Sequence, residues 1–423
     1  MSQRSKRRGN PSSDQLAWPP IAFERLPWQP RSRASSRADR LFREYDAAVP
    51  PMIGKLLPRL EPRTVNALSD ATAAIAALDA HAERDVAPLW TQLIRSESVA
   101  SSKIEHIYTK QAELAAALAG ARATRAARDV AAHVHAIERL VRAASEGALD
   151  LTHLLVAHRA LLEADPVEGQ YAGRLRDVQN WIGGSDETPR GADFVPPAPR
   201  RVEPLMIDLV RFVAREDIPP VAQAAIAHAQ FETIHPFTDG NGRIGRAMVH
   251  AIMRRRGLTS RTMVPVAAAL LADPDAYFEG LTAYRLAGDV DGFVELFASS
   301  AAAAARESLV ALRELVALPR RWRSEIGPRK SSVVDRLIDV LVERPVLAVG
   351  DICSITGTTA RGAYDAISRL EEHAVLREMT KRKRDRIWSA PDVFVIVDDL
   401  ERRLGHRRKP KSGPEPTSAK SAR

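Results

Sequence analysis

The feature that most constrains this chain is a proline-and-glycine break set between two helical patterns, Ile234-His235-Pro236-Phe237-Thr238-Asp239-Gly240-Asn241-Gly242-Arg243-Ile244-Gly245-Arg246. Upstream, Ala222, Ile226, Ala229 and Thr233 share one helical face, with Ala225 and Phe231 beside it, so residues 220–234 read as a buried helix. Pro236 ends that helix, because proline disfavours helical geometry in the residue before it. Met248, Val249, Ile252 and Met253 then restart a 3.6-residue pattern, which puts the turn at the N-terminus of a second helix. Such an end carries unpaired backbone N–H groups and the positive pole of the helix dipole, and so suits an anion. Gly240 and Gly242 let a phosphate approach the backbone closely. Arg243 and Arg246 add guanidinium donors about one helical turn apart, suited to two phosphate groups. Asp239 is placed to hold a Mg²⁺ that bridges phosphate oxygens. His235 titrates in the range needed to take a proton from an incoming hydroxyl. Together these parts describe nucleophilic attack on a phosphate.

Other readings use the same residues. An ordinary loop would leave Arg243 and Arg246 in surface ion pairs; only the conjunction of residues points to chemistry. His228, Glu232 and His235, at i, i+4 and i+7, offer three ligands to zinc, although a fully helical triad reaches one ion poorly. A buried, hydrogen-bonded role for His228 is the other reading.

Composition sets the wider frame. Aromatic residues are 5% of the chain, and alanine is dense at 71–77 and 301–305, which favours a mainly all-α protein. At 423 residues, the chain is long enough for two or three domains with their own cores. No apolar run is long enough to span a bilayer, and the basic segment 1–10 has no apolar stretch behind it. With a single cysteine, Cys353, a soluble cytoplasmic protein without a membrane partner is expected. The net charge of +9 lies largely in the tails, at 4–8 and 402–411, where a basic run reads as a solvated end and identifies no partner.

Along the chain, residues 1–15 read as a disordered tail. Residues 17–30, rich in proline and tryptophan, read as an extended segment packed on a neighbour. Residues 16–128 form an N-terminal region, helical from Arg37 onward and broken near Pro50–Pro51 and 58–62. A mostly helical core covers 129–310, interrupted by the irregular stretch 183–199, whose length suggests a binding loop. Residues 311–330, with Pro319 among them, read as a linker. A separate module spans 331–404, and 405–423 is a basic disordered tail. In the module, Val334, Leu337, Ile338 and Leu341 mark one helix and 349–355 a second. Ala363, Ala366, Ile367 and Leu370 mark a third, from about Thr359 to Glu372. Residues 375–379, the basic turn 381–384 and 386–389 complete a hairpin. That order resembles a winged helix-turn-helix. Arg361 and Arg369 on the third helix are opposed by Asp365, Glu371 and Glu372, so DNA contact competes with protein docking or homodimer formation.

The run from His235 to Arg246 matches the Fic motif, HxFx(D/E)GNGRxxR, at every defined position. Ala227-His228, Phe231-Glu232, Tyr171-Ala172-Gly173-Arg174 and Gln179-Asn180-Trp181-Ile182-Gly183-Gly184 are similar to the family's flanking motifs. The resemblance covers roughly residues 60–300. It implies a Fic-type helical core with a β-hairpin flap, and transfer of AMP from ATP, with Mg²⁺, to a protein hydroxyl. In that reading His235 is the general base and Asp239 the metal ligand. Gly240, Asn241 and Gly242 cradle the α-phosphate, Arg243 and Arg246 hold the outer phosphates, and 183–199 is the flap that engages an extended target segment. Self-modification is a second outlet.

Residues 98–106, Ser98-Val99-Ala100-Ser101-Ser102-Lys103-Ile104-Glu105-His106, resemble the family's inhibitory motif S/T-x-x-x-E-G/N. Ser101 and Glu105 lie on one helix face, and the resemblance pairs Glu105 with Arg246, misaligning ATP. The same glutamate also suits positioning a water for removal of AMP, as in some relatives. His106 stands where glycine or asparagine is usual. The alternative from another class is a DNA-binding transcriptional regulator whose Fic core is a nucleotide sensor or inactive.

Overall fold

The computed structural model describes residues 18–28, 36–81, 86–147, 149–380 and 386–406. The tail expected at 1–15, the basic turn 381–384 and residues 407–423 lie outside the described residues.

The centre is made by the two helices read from the sequence, α8 (Pro220–Ile234) and α9 (Asn241–Arg255). Every α8 residue from Val221 to Ile234 is buried, so the helix is covered on all sides. α9 lies against it at Gly245, where an added Cβ would come within 3.0 Å of both His228 Nδ1 and Phe231 Cδ1. α5 (Arg125–Ser145) and α6 (Leu151–Leu162) pack on the other side of α9. Thr124 caps α5 by accepting from Ala127 N–H, and Val130, Val134, Ile137 and Val141 form its buried stripe. Before them come α2 (Pro62–His81), α3 (Val86–Ile104) and α4 (Gln111–Leu118). The core boundary expected at residue 129 falls inside α5, one continuous capped helix.

The N-terminal region is extended over 22–27 as expected, and departs from the helical expectation at 44–49. β1 (Ala22–Pro27) and β2 (Glu44–Val49) form an antiparallel ladder, Ala22 opposite Val49, and α1 (Arg37–Leu41) is barely one turn. This arm grips the stretch expected as a flap. Ile182 and Phe194 make one antiparallel bridge, and Ala48 N–H donates to Val195 O at 2.9 Å, so β2 extends the hairpin. Asp39 accepts from Thr188 Oγ1 at 2.6 Å and from Arg190 Nε at 3.0 Å, and Trp28 meets Trp181 edge-on.

After the flap, α7 (Pro199–Val213) leads into α8; beyond α9 come α10 (Val266–Leu270), α11 (Pro274–Ala287) and α12 (Val290–Ile326). The linker expected at 311–330 is not one. α12 runs without a break to Ile326 with Pro319 inside it, and ends at Gly327 in the left-handed region. Leu312, Leu315, Leu318, Trp322 and Ile326 are all buried, and this stripe outweighs the ~3 kcal/mol that an interior proline costs.

The C-terminal module follows the expected helix, helix, helix, hairpin order: α13 (Val333–Val340), α14 (Val349–Thr356), α15 (Ala360–Glu372), then β4 (Arg377–Glu378) and β5 (Ile387–Ser389). β3 (Val346–Ala348) pairs with β5, giving the strand order β3-β5-β4. A last helix, α16 (Pro391–His406), returns along α12 and continues into the start of the expected tail. Trp322 Nε1–H donates to Asp392 Oδ2 at 3.0 Å and fastens the two. Among the described residues, no helix is long and apolar enough to cross a membrane.

If α12 is continuous, Pro319→Ala restores a helix hydrogen bond and raises unfolding stability by about 1–2 kcal/mol in chemical denaturation. A flexible linker at this point would show no gain.

Candidate active site

α8 ends because His235 takes a left-handed conformation (φ 50°), its N–H still bonded to Phe231 O at 2.8 Å. A β-carbon in that region is strained by about 1–2 kcal/mol, so neighbours must hold it. Arg176 does so. Its buried guanidinium donates to His235 O at 2.8 Å, Pro197 O at 2.6 Å and Val178 O at 3.0 Å, and its N–H meets Pro236 O at 2.9 Å. Sequence reading missed Arg176, since a buried arginine that binds only carbonyls leaves no periodic or spacing signal.

The rest of the turn is braced from within. Asn241 Oδ1 accepts from Phe237 N–H at 2.8 Å and its Nδ2 donates to Phe237 O at 2.9 Å, where Asn180 Nδ2 also donates. The Asn241 side chain is therefore spent on the loop, and its backbone N–H is the group left for the expected phosphate cradle at 240–242. Gly240 is left-handed (φ 76°), and a Cβ there would strike Leu161 Cδ2. His158 was also missed. Its Nδ1 accepts from Gly173 N–H at 3.0 Å, so its Nε2 carries the proton and donates to Asp239 O at 3.1 Å, while its ring stacks on Phe237.

At the mouth, Asp239 is 52% exposed and pairs with Arg243 Nη2 at 3.0 Å; Arg243 itself is buried. A cleft of about 410 Å³ opens beside them, lined also by Arg125, Arg128 and Leu161. The two residues expected to act on metal and phosphate thus hold each other.

Arg246 is buried one turn further along α9. Its Nε donates to Ser101 Oγ at 2.8 Å, and its Nη2 to Ser101 O at 3.0 Å and Glu105 Oε1 at 2.6 Å. The structure brings Ser101, Glu105 and Arg246 together as the motif implies. A Cβ on Gly242 would lie only 1.8 Å from Glu105 Oε1, so the carboxylate fills the space over the start of α9. α3 stops there because His106 is left-handed (φ 60°), supplying the bend that glycine or asparagine would supply.

Burial decides the protonation of the site. It pushes His235 down to about 3, aided by the nearby positive charges of Arg176 and Arg285, so the ring is neutral and able to accept a proton. Burial also pushes the Glu232 carboxyl up to about 7, with Glu105 adding repulsion against the pull of Arg246 and Arg285. The spacing His228, Glu232, His235 does not give a shared site. His228 Nε2 bonds to Tyr277 Oη at 2.8 Å, and among the described residues no three His, Cys, Asp or Glu side chains converge on one ion.

With this geometry in view, the matches to known proteins can be placed. Residues 148–253 match the Fic/DOC family and residues 65–143 its N-terminal region. Residues 65–253 are thus similar to the Fic/DOC core together with its N-terminal region. It is 32% identical over 194 residues to protein adenylyltransferase fic-1 of Caenorhabditis elegans, covering 45% of this chain and 34% of that one. It is 31% identical over 154 residues to protein adenylyltransferase Fic of Nematostella vectensis, covering 36% and 32% of the two chains. It thus spans about a third of the length of the curated relatives it matches. A Fic family protein from Desulfovibrio desulfuricans shares the fold, with a TM-score of 0.52 and 22% identity over 78% of this chain and 97% of that one. The Fic motif of this chain therefore lies within the matched region, as does its Glu105.

The buried histidines predict an acid-labile fold. His133 and His228 are also held near 3 by burial, against an ordinary 6.5. Burial also holds His158 down at about 4, so below pH 6.5 the unfolded chain takes up four protons that folded His133, His158, His228 and His235 refuse. Folded Glu232 takes up one that the unfolded chain binds only near 4.5. The unfolded state binds the net excess of protons, so stability falls as pH drops from about 6.5 to 4.5, by on the order of 3 kcal/mol per unit. Calorimetric melting across that range checks it; a flat profile would contradict buried, neutral rings.

Proposed function

We propose that this chain transfers AMP from ATP to a hydroxyl side chain of a protein, and that Glu105 restrains it. The observation that carries the reading is a neutral His235, its side chain 17% exposed, on one side of a turn whose other side is the start of α9, with buried Arg246 behind it. The naming of the Caenorhabditis and Nematostella relatives as protein adenylyltransferases supports the choice of reaction.

In this reading the α-phosphate sits on the backbone N–H groups at 240–242, where the helix dipole favours negative charge. His235 takes the proton of the incoming hydroxyl, the hydroxyl oxygen bonds to the α-phosphorus, and the bond to the β-phosphate oxygen breaks, releasing pyrophosphate. Arg246 and Arg243 would hold the outer phosphates, Arg243 exchanging Asp239 for phosphate. Mg²⁺ commonly takes one or two carboxylates and completes its shell with substrate phosphates and water. The exposed carboxylate of Asp239 fits that donor set, with Asp129 and Asp165 lining the same cleft, and the ion would neutralise phosphate charge there. The flap, stiffened by the N-terminal arm, is the surface for an extended target segment.

Glu105 opposes this. It occupies Arg246 and puts a negative charge where phosphate must come, so ATP that does bind is displaced from in-line geometry. Glu105→Gly is expected to raise labelling by α-labelled ATP. Adding His235→Ala should lower it again by on the order of a hundredfold or more. Labelling that survives the loss of His235 would remove the general base. An Arg246 that is free to bind should also show as tighter ATP binding by calorimetry in the Glu105→Gly protein.

His106 gives a second handle. Glycine relieves the left-handed strain at this position, so His106→Gly should stabilise the end of α3 by about 1 kcal/mol and reduce basal labelling. Higher labelling in that variant would mean that the bend works against the restraint.

A further inference from the structure

The restraint is fastened from the far end of the chain. Glu401 on α16 reaches both ends of the segment that carries Glu105. Its Oε2 accepts from Lys103 Nζ, in the last turn of α3, at 2.8 Å; its Oε1 accepts from Gln111 Nε2, the first residue of α4, also at 2.8 Å. Lys103 and Glu401 are only 28% and 19% exposed, and Gln111 is buried, so solvent screens this junction less than a surface pair. One carboxylate thus closes a staple over residues 103–111, and Glu105 sits inside it.

The staple has a rigid back. Arg403, two residues further along α16, pairs with buried Glu307 of α12 at 2.9 Å. Further up α3, buried Gln92 donates to Val342 O, just past α13, at 2.7 Å. Ala115 and Ala116 of α4 pack with Val346, Ile387 and Phe394 of the C-terminal module. α3 itself is unusually polar for a buried helix: Arg95 is buried with Nε and Nη1 unpartnered, and the hydroxyls of Ser96, Ser98 and Ser102 are also unpartnered. Such a helix gains little from its own burial and depends on what clamps it.

We infer that Glu401 is a positioning residue for the restraint: α16 latches the Glu105 turn onto Arg246, and the C-terminal module controls the site through this contact. The inference rests on the proposed restraint by Glu105. A ligand of the module that shifts α16 from α3 would release Glu105 without touching the site, a coupling between two distinct places in one chain.

The test uses the full chain, with two readouts. Glu401→Ala, and independently Lys103→Met, should raise labelling by α-labelled ATP about five- to tenfold, at the low end of usual coupling factors. Hydrogen exchange in peptides covering 98–112 should quicken while α12 stays protected. Glu401→Ala added to Glu105→Gly should give no further rise, since the latch acts only through Glu105. The charge swap Lys103→Glu with Glu401→Lys should bring labelling back toward the parent value, which general damage to the fold would not allow. Unchanged exchange at 98–112 in Glu401→Ala and Lys103→Met overturns the latch whatever the labelling does. So does parent-level labelling in both variants when Glu105→Gly is active. Failure of Glu105→Gly itself to raise labelling overturns the restraint instead, and is read in a protein whose Glu401 is intact.

Discussion

The polar centre of this protein is organised by one buried cation. A guanidinium removed from water costs several kcal/mol unless it is paired and hydrogen-bonded. Arg246 meets that demand with Ser101 and Glu105, both from α3. The arrangement ties a helix from the N-terminal region to the helix that starts at the glycine turn, and it explains why α3 lies where it does. It also means that removing Glu105 leaves an unsatisfied charge facing the turn. An arriving phosphate would relieve that imbalance, so in the proposed function restraint and ligand affinity would draw on the same electrostatic source.

Around Arg246 the interior is rich in imidazole. His133 bonds to Arg243 O, His228 to Tyr277 and His158 to Asp239 O, each one joining a neighbouring element to the turn or the helices beside it. They can do so because burial and nearby arginines keep them neutral. Neutral rings act as short cross-struts with one donor and one acceptor, and add no charge to the site proposed to admit phosphate.

How much of this was legible in the sequence follows the range of each interaction. The turn, its flanking helices and the candidate base were local, and periodicity with Pro236 and the glycines marked them. The pairing of Glu105 with Arg246 spans 141 residues and came only through likeness to the Fic inhibitory motif. That the Asn241 side chain braces the loop was not legible, because nothing local says which way an amide turns. Arg176 and His158 bind backbone carbonyls across long loops and had no pattern to betray them. The pairing of β1 with β2 was hidden because a two-stranded ladder is stabilised by what it packs on, here the flap. Pro319 misled for the opposite reason: a local breaker was overruled by the buried stripe from Leu312 to Ile326.

The bond from Ala48 to Val195 has one more consequence. β2 already occupies one side of the short hairpin formed by Ile182 and Phe194, so the 181–184 side is the edge left for an added strand. That edge adjoins Asn180, whose amide holds Phe237 in the turn after His235. Side chains alternate along a strand, so a one-residue slip of an incoming segment would point its hydroxyl away from the base. In the proposed reaction, choice of acceptor on such an edge would become a matter of phase: the hydroxyl that reacts would be the one that falls on the correct beat of the backbone ladder, whatever residues surround it.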